Sequence, residues 1–348
     1  MREQREITER GFLLNAQGEL CAPGWSRSLV QEYSRAAIAD KSALAMRIKE
    51  WDYYLVSNGH FALALTVDDN SYMGLDSISF LALDEGWERT VSPMQAMTLG
   101  RKNLPSTSAA GDVHSAGKGY GIHFLHQGTR RTLIAYMKKF GDTSLTARIE
   151  LTDEPAESMV IATPFDKPGH FYYNQKINCL RASGTVMLGE TVYTFSPEDS
   201  FAVLDWGRGV WTYENTWYWG SASYVLPDGS TLGWNLGYGF GNTAAASENV
   251  VFYNGKAHKL SEVKFCIPGD EVGAPRYTEN WKFTSDDGRF EMDFVPQLDR
   301  KSCTDVKLIK SDQHQVFGRF TGRVVLDDGT VLEVRDFPGF AEKVMNKW

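Results

Sequence analysis

Short runs of alternating hydrophobic and polar residues, each bounded by a turn signal, fill the chain from residue 48 onward. KEWDYYLVS and HFALALTVDD flank Asn58-Gly59, and VVFY and KAHKL flank Asn254-Gly255, two pairs typical of tight hairpin turns. About twenty such runs recur at spacings of about 8–12 residues, with almost no helical crossovers. Neighbouring strands should therefore pair antiparallel, in barrels or large curved sheets rather than one open sheet. The pattern predicts an all-β protein.

The N-terminal region has a different texture. We expect an arm over residues 1–47 with a short helix through SLVQEYSRAAI, where apolar residues recur at helical spacing and Ser26 or Ser28 would cap the first turn. A second change of texture near residue 245 predicts two β domains. The first would cover residues 48–245 and carry a tryptophan-rich motif, and the second, smaller domain would cover residues 246–348.

The composition agrees with an all-β class and narrows the partners. Aromatic residues make up 13% of the 348 positions, and 32 positions are glycine, as in turn-rich β proteins. The net charge of −8 argues against a nucleic-acid surface, which would be basic. The chain has no apolar run long enough to cross a membrane, and MREQREITER lacks the apolar region of a signal peptide. We expect a cytoplasmic protein with no nucleic-acid partner and no integral membrane segment, of unassigned oligomeric state.

Cysteine and histidine positions give no metal or cofactor signal. The four cysteines are far apart and form no CxxC pair, so reduced thiols are expected, with a disulfide as the alternative. His123 and His126 differ by an odd number on a predicted strand and therefore face opposite ways, and the other histidines lack ligand spacing. The sequence has no phosphate loop and no GxSxG elbow. We expect no cofactor and no metal, with a metal site assembled from distant strands as the alternative.

The most densely specified stretch is residues 201–241. Four of the ten tryptophans fall within fifteen residues, beside charged and amide side chains; these are Trp206, Trp211, Trp217 and Trp219, with Asp205, Arg208, Glu214 and Asn215. Aromatic side chains carry large apolar areas, whereas buried charges among them cost free energy unless they are paired. The stretch is therefore interpreted as the wall of a cavity.

Period-two alternation assigns faces to three strands. Trp217 and Trp219 share one face of their strand, opposite Tyr218. In the strand over residues 232–241 one face is large and apolar, while the other has glycines around Asn235. A glycine face lets a ligand or another chain segment approach the backbone, or lets a barrel strand bend sharply. In the strand over residues 170–180, His170, Tyr172, Asn174 and Lys176 form a polar face that is either solvated or lines a wet cavity, and Tyr173 faces the other way.

The chain resembles the DUF2804 family of uncharacterised bacterial proteins. The resemblance rests on segments spread over nearly the whole length, among them GWSRSLVQEYSR, YYNQKINCLRASGTV, DWGRGVWTYENTWYWGSAS and DFPGFAEKV. That family is distantly similar to carotenoid hydratase, tocopherol cyclase and AttH-type proteins, which implies two lipocalin-like barrels in tandem. The shared pattern is an Asp-rich strand end, W-x-W and a D-G turn, here Asp205, Trp217, Trp219 and Asp228-Gly229. The relatives have Asp-His/Arg-Glu-Trp where this chain has Asp-Trp-Gly-Arg.

The resemblance implies acid-initiated chemistry on an isoprenoid-like or other apolar substrate. Asp205 would protonate a carbon–carbon double bond, because an apolar pocket can keep a carboxylic acid protonated. Aromatic faces would stabilise the carbocation, and water or an internal hydroxyl would complete a hydration or cyclisation. The candidate catalytic residues are Asp205, Glu214, His170 and Tyr173. The candidate substrate-binding residues are Trp206, Arg208, Trp217, Tyr218, Trp219, Asn235, Asn174 and Lys176.

Two alternatives remain open at this point. Asp205 could instead pair with Arg208 or Lys176, or cap a turn, and take part in no reaction. The cavity would then belong to a binding or carrier protein for an apolar small molecule, because apolar pockets with a few polar groups serve either purpose. A purely structural or interaction role is a third option. The sequence alone does not decide between these functions.

Overall fold

The computed structural model describes residues 4–39, 45–306 and 309–347, which are almost entirely β. A first sheet of fourteen strands holds β2 (Gly24–Ser26), β4 (Ile48–Ser57), β5 (Phe61–Asp69), β6 (Met73–Ala82), β7 (Trp87–Val91), β8 (Met94–Ala96), β9 (Val113–Gly117), β10 (Tyr120–Gln127), β11 (Arg130–Phe140), β12 (Thr143–Thr152), β13 (Met159–Pro164), β14 (Phe171–Leu188), β15 (Thr191–Phe195) and β16 (Phe201–Val210).

A second sheet of nine strands is formed by the chain from Glu214 onward. Its members are β17 (Glu214–Val225), β18 (Thr231–Tyr238), β19 (Val250–Tyr253), β20 (Lys256–Lys259), β21 (Val263–Cys266), β22 (Trp281–Ser285), β23 (Phe290–Val306), β24 (Ile309–Val325) and β25 (Val331–Lys347). A small parallel pair, β1 (Gly11–Phe12) and β3 (Gln31–Glu32), a helix α1 (Arg35–Ala39) and a 3-10 helix (Asp270–Val272) complete the fold. The strands of both large sheets pair antiparallel, which confirms the predicted all-β class.

Each large sheet curls around its own hydrophobic core. The core of the first sheet includes Leu63, Phe80, Leu133 and Trp206, and that of the second includes Trp234 and Trp281. The outer faces of β14 and β16 pack against β17 and β18, and smaller apolar clusters lie between the sheets. This inter-sheet layer is where the candidate site lies.

The N-terminal helix differs from the prediction. The predicted start at Ser26 or Ser28 is wrong, because Ser26 ends β2, which pairs with β13, and β3 then pairs with β1 before α1 begins at Arg35. Ser34 is the capping residue, and its Oγ accepts a hydrogen bond from the backbone N–H of Ala37 (3.4 Å). Local apolar spacing was therefore overridden by strand pairing.

The change from one sheet to the other occurs at residues 211–213, between β16 and β17. The boundary expected at residue 245 instead falls inside the second sheet, in the loop between β18 and β19. The tryptophan-rich stretch thus spans both sheets, because β17 pairs with β25 rather than with β16.

The N-terminal arm fastens the loop over residues 242–249 to the body. The backbone N–H of Arg5 donates to the carbonyl of Ala245 (2.9 Å), and Gln4 Oε1 accepts from the backbone N–H of Ser247 (2.8 Å). Gln4 Nε2 also donates to the Leu260 carbonyl (2.6 Å). The arm therefore holds a loop that lies far away in sequence.

Two further predictions concern membrane-spanning helices and the state of the cysteines. Within the described ranges, neither helix has the length and apolarity that a membrane span requires. Cys21, Cys179, Cys266 and Cys303 all lie in those ranges and are free thiols.

Candidate functional site

Four strands face each other across the inter-sheet layer and build it in register. On the first sheet Tyr53 of β4 lies beside Asp205 of β16, and on the second Trp219 of β17 lies beside Glu342 of β25. The neighbouring pairs two residues along are apolar or small, such as Leu55 with Val203 and Ser221 with Phe340. Tyr53, Asp205, Trp219 and Glu342 therefore form what we call the polar level of this layer. It lies next to pairs of apolar or small residues.

Asp205 is buried and has two side-chain partners from β14. Its Oδ1 accepts a hydrogen bond from Asn174 Nδ2 (2.5 Å), and its Oδ2 pairs with Lys176 Nζ (2.5 Å). An amide donor and an ammonium group both favour the ionised carboxylate. Of the two pairings considered from sequence, Asp205 thus forms the one with Lys176 and not the one with Arg208.

Lys176 links Asp205 to the second sheet. Its Nζ lies 3.9 Å from the ring centroid of Trp219, which is cation–π geometry. Trp219 Nε1 donates to Asn235 Oδ1 (2.7 Å), and Asn235 Nδ2 donates to the backbone carbonyl of Glu248 (2.9 Å). The ammonium group therefore occupies an aromatic face that was expected to be free for a substrate carbocation.

Glu248 contributes a second buried carboxyl. Within the described part of the chain nothing donates a hydrogen bond to its carboxylate, although 94% of the residue is shielded from solvent. Burial raises its pKa to about 7, opposed by Lys176 and reinforced by Asp205. A carboxyl in this state is protonated in a substantial fraction of molecules near neutrality, and its proton is not committed to a neighbour.

Glu342 supplies a third carboxyl with different surroundings. Its Oε1 accepts from Trp217 Nε1 (2.8 Å) and its Oε2 from Gln315 Nε2 (3.0 Å). Burial raises its pKa to about 7, against the hydrogen bond from Trp217. Asp205, Glu248 and Glu342, together with Lys176, form what we call the acid cluster.

Two further buried polar groups face the acid cluster without a partner. Among the residues that the structure describes, Asn174 Oδ1 has no hydrogen-bond partner, although Asn174 is fully buried. In the described ranges, the hydroxyl of Tyr172 likewise has none, and burial, followed by the charge of Glu248, raises the pKa of Tyr172 well above its usual value. Buried polar groups are normally hydrogen-bonded, so the cluster retains unused capacity for a bound molecule.

An aromatic wall borders the acid cluster. Trp211 makes edge contacts with Trp51 (4.9 Å between ring centroids) and Phe240 (4.7 Å), and Trp217 packs against both Trp211 and Phe240. Trp51 can lie over β16 only because residue 207 is glycine, since a Cβ there would lie 1.8 Å from Trp51 Cζ2. The wall is therefore assembled from both sheets.

The glycine face of β18 accommodates other parts of the chain. A Cβ at Gly233 would lie 2.6 Å from Cys179 Sγ, and one at Gly237 would lie 3.0 Å from Glu248 Oε2. Of the interpretations offered from sequence, close approach by another chain segment is the one observed at these two positions. Gly237 thereby makes room for the Glu248 carboxyl.

Several residues predicted for the site lie elsewhere. The side chains of Trp206, Arg208 and Tyr173 point to the core of the first sheet, on the opposite strand face from Asp205. There Arg208 pairs with Asp52 (2.9 Å), and Tyr173 donates to the Gln31 carbonyl (2.8 Å). Tyr218 also faces away from the cluster.

Tyr218, Glu214 and His170 each have separate surroundings. The Tyr218 hydroxyl donates to Asp270 (2.7 Å), whereas Glu214 is exposed and pairs with Lys347 (3.0 Å). His170 lies six residues from Lys176, about 20 Å along the strand, and lines a different pocket with Lys167. These three side chains do not contact Asp205.

A cleft open to solvent lies near the acid cluster, one register step away along the strands. Its walls include Leu55, Val203, Ser221, Phe317 and Phe340. Three of these lie one register step from Tyr53, Asp205 and Trp219, on the same strand faces. The cleft therefore lies next to the polar level, and among the described residues no member of the acid cluster lines it.

Sequence reasoning did not select Glu248 or Tyr172 as site residues, and used Glu342 only as part of a C-terminal resemblance. Glu248 lies in an irregular loop, where alternation assigns no face. Tyr172 is part of the predicted polar face over residues 170–180, so that face could have identified it as a site residue. Among the described residues, no group of three or more His, Cys, Asp or Glu side chains gathers into a metal-holding arrangement.

One solved structure has a similar fold over most of the chain. A protein of Nitrosomonas europaea described as an AttH is similar over 86% of this chain and 92% of its own, with a TM-score of 0.50 and 12% identity. Kievitone hydratase from Nectria haematococca (TM-score 0.44, 10% identity, 86% and 88% covered) and CghA (0.43, 11%, 86% and 87%) are more distant. At such identities the likeness concerns the fold alone.

No curated protein matches the chain at a significant level. The family model of DUF2804, a domain of unknown function, matches residues 4–348. That match covers nearly every residue and confirms the resemblance drawn from the sequence segments. The chain therefore belongs to the DUF2804 family.

Proposed function

We propose that the protein binds an apolar, isoprenoid-like or other unsaturated small molecule in the inter-sheet cleft and protonates a carbon–carbon double bond, as a hydratase or cyclase does. The observation that carries the proposal is Glu248, a buried carboxyl with no hydrogen-bond donor on it among the described residues and a pKa of about 7. General acids work best when their pKa lies near the working pH.

This proposal moves the acid from Asp205 to Glu248. Both oxygens of Asp205 already have partners, Asn174 and Lys176, whereas a general acid needs a carboxyl that can reach the substrate. The negative charge of Asp205 instead raises the pKa of Glu248. Glu342 is a less suitable donor, because both of its oxygens accept hydrogen bonds. Asp205 is thus a positioning and electrostatic residue for the acid.

The reaction balances without an added oxidant or cofactor. The proton of the Glu248 carboxyl forms a C–H bond with the π electrons of the alkene, leaving a carbocation and the Glu248 carboxylate. Water or a hydroxyl of the substrate then adds to the cation, and the proton it releases returns to Glu248. A pair of carboxyl groups in different environments is a common basis for such acid–base work.

A binding or carrier role is the second candidate. It is favoured by Lys176, whose ammonium group covers Trp219 and so removes one aromatic face from carbocation stabilisation. In that case the unpartnered Asn174 Oδ1 and the Glu248 carboxyl would orient a ligand by hydrogen bonds. Both candidates use the same cleft and differ only in whether Glu248 transfers its proton.

Deuterium transfer from solvent separates the two candidates. The protein is incubated in D2O with a panel of isoprenoid and aryl alkenes, and products are analysed by mass spectrometry for carbon-bound deuterium. We expect incorporation by the wild type and a loss of about 10²–10⁴-fold in Glu248→Gln, the usual contribution of a general acid. Native mass spectrometry and solvent extraction of freshly purified protein identify any ligand that co-purifies.

Glu214→Gln is the matched control, because Glu214 is an exposed carboxylate on the strand that carries Trp219. It should retain full activity. Equal deuterium incorporation by Glu248→Gln would refute Glu248 as the acid, and the same measurement on Glu342→Gln would show whether that carboxyl is the donor. A co-purified ligand without any deuterium transfer would establish the carrier role instead.

A further inference from the structure

Two histidines that are distant from the acid cluster meet on the outside of the first sheet. His114 of β9 lies directly opposite His123 of β10 in the antiparallel register. Their Nδ1 atoms are 3.1 Å apart, and their ring centroids are 5.2 Å apart. The side chain of His114 is more than half exposed. Cross-strand pairing thus places two imidazoles side by side where solvent reaches them.

An aspartate orients one of these rings. Asp112 Oδ1 accepts a hydrogen bond from the backbone N–H of His126 (2.8 Å), and Asp112 Oδ2 faces His114 Nε2 at 3.9 Å. These two atoms are within ion-pair range but beyond hydrogen-bond distance. The Nδ1 atom of His114 faces Nδ1 of His123. A carboxylate behind the second nitrogen is the usual companion of a metal-bound histidine.

The separation of the two nitrogens fits binding to one ion. Histidine nitrogens lie about 2.0–2.1 Å from a bound Zn²⁺. Two such nitrogens are therefore about 2.9 Å apart at a right angle and about 3.3 Å apart at the tetrahedral angle of Zn²⁺. The observed 3.1 Å lies between these two values.

We propose that His114 and His123 bind one divalent transition-metal ion, Cu²⁺, Zn²⁺ or Ni²⁺, through their Nδ1 atoms, with Asp112 as a positioning residue behind His114. Imidazole is a good ligand for these ions and a poor one for Mg²⁺ or Ca²⁺, which prefer oxygen. With two protein ligands the remaining positions on the ion are open to water. Affinity should follow the order Cu²⁺ above Ni²⁺ and Zn²⁺. This site is independent of the inter-sheet cleft.

Metal titration of untagged, full-length protein tests the site. Calorimetry with Cu²⁺ and with Zn²⁺ measures stoichiometry and affinity, and electron paramagnetic resonance of the Cu²⁺ form counts its nitrogen ligands. We expect one ion per chain with two imidazole nitrogens. His114→Gln and His123→Gln should each abolish the two-nitrogen signal, and Asp112→Asn should weaken binding about tenfold, at the low end for outer-shell partners.

His60→Gln is the matched control, because His60 is also exposed and also faces an aspartate, Asp84, at 2.8 Å. It should leave binding unchanged. Circular dichroism establishes that each variant is folded. The proposal fails if the wild type shows no saturable binding. It also fails if one of the two histidine variants keeps full affinity, because the pair would then be a simple hydrogen bond between rings.

Discussion

At the scale of single residues, the three carboxyls of the acid cluster differ in the hydrogen-bond and ion-pair partners that they have. Asp205 receives an amide donor and an ammonium group, Glu342 receives an indole and an amide, and Glu248 receives no donor among the described residues. Burial raises the pKa of both Glu248 and Glu342 to about 7. The two differ in their partners, because the oxygens of Glu342 already accept hydrogen bonds whereas Glu248 is left as the group whose proton is uncommitted.

The raised pKa of Glu248 makes folding stability depend on pH. Because it lies at about 7 in the fold against an ordinary value of 4.5, the folded state binds more protons between these values. The stability advantage is therefore complete below about 4.5 and is lost as the pH rises through 7. Relative to Glu248→Gln, the wild type should lose on the order of 2 kcal/mol between pH 5 and pH 8.

Urea unfolding at the two pH values measures this difference. Comparing each variant with the wild type removes the contributions of the other titrating groups. Glu214→Gln, which replaces an exposed carboxylate, should give the same small difference at both pH values. If Glu248→Gln also gives the same difference at both, Glu248 does not titrate in this range.

At the scale of strands, the close approach of β4 and β16 depends on one missing side chain. Trp51 lies over the backbone of Gly207, and its ring then contacts Trp211 and Tyr172. A Cβ at residue 207 would clash with the rigid indole ring of Trp51. Moving the end of a flexible side chain would therefore not relieve the clash. The position of the Trp51 ring in the aromatic wall therefore depends on Gly207.

Gly207→Ala should destabilise the protein by at least about 1–3 kcal/mol, the usual cost of overpacking a core. The Trp51 ring must move, and its contacts with Trp211 are lost with it. Gly11→Ala is the control, since a Cβ at Gly11 meets nothing within 4 Å. Urea unfolding of both variants checks the prediction, and equal stabilities would show that Trp51 is free to relocate.

Strand-level features were the most predictable from sequence. Alternation correctly separated Trp217 and Trp219 from Tyr218, because one face of β17 meets the first sheet and the other meets Asp270. The same rule left the polar face of β14 undecided between solvent and cavity, since it does not reveal what covers a face. The helix start was mispredicted because β3 is stabilised by pairing with β1, which local spacing cannot show.

At the scale of the whole molecule, both sheets contribute residues to the acid cluster at their interface. Lys176 and Asp205 belong to the first sheet, whereas Trp219, Glu248 and Glu342 belong to the second sheet and its loop. Separating the sheets would remove the aromatic partner of Lys176 and expose apolar clusters between them. Neither half is therefore complete alone.

We expect the two sheets to unfold as one cooperative unit. Hydrogen exchange followed by mass spectrometry should give the same free energy of opening for the slowest amides of β11 and of β24, which lie in different sheets. Trp219→Ala should lower both values together, because Trp219 contacts Lys176 and Tyr53 of the first sheet. Separate values for the two strands in the wild type would contradict a single unit.

The composition of the acid cluster was the least predictable feature. Glu248 and Glu342 follow Asp205 by 43 and 137 residues, and no local pattern links them to it. Their positions depend on the pairing of β17 with β25 and on the N-terminal arm that holds the 242–249 loop. Sequence reasoning identified the strand that carries Asp205 but not the loop that meets it.

The tryptophans around the acid cluster also give the protein an intrinsic optical reporter. Trp217 donates its indole N–H to Glu342, and Trp219 lies under the ammonium group of Lys176. The emission of an indole responds to charges beside its ring, so a proton gained or lost by Glu342 changes the light that Trp217 emits. Occupancy and protonation of this site can therefore be followed by fluorescence in the unlabelled protein, before any substrate is known.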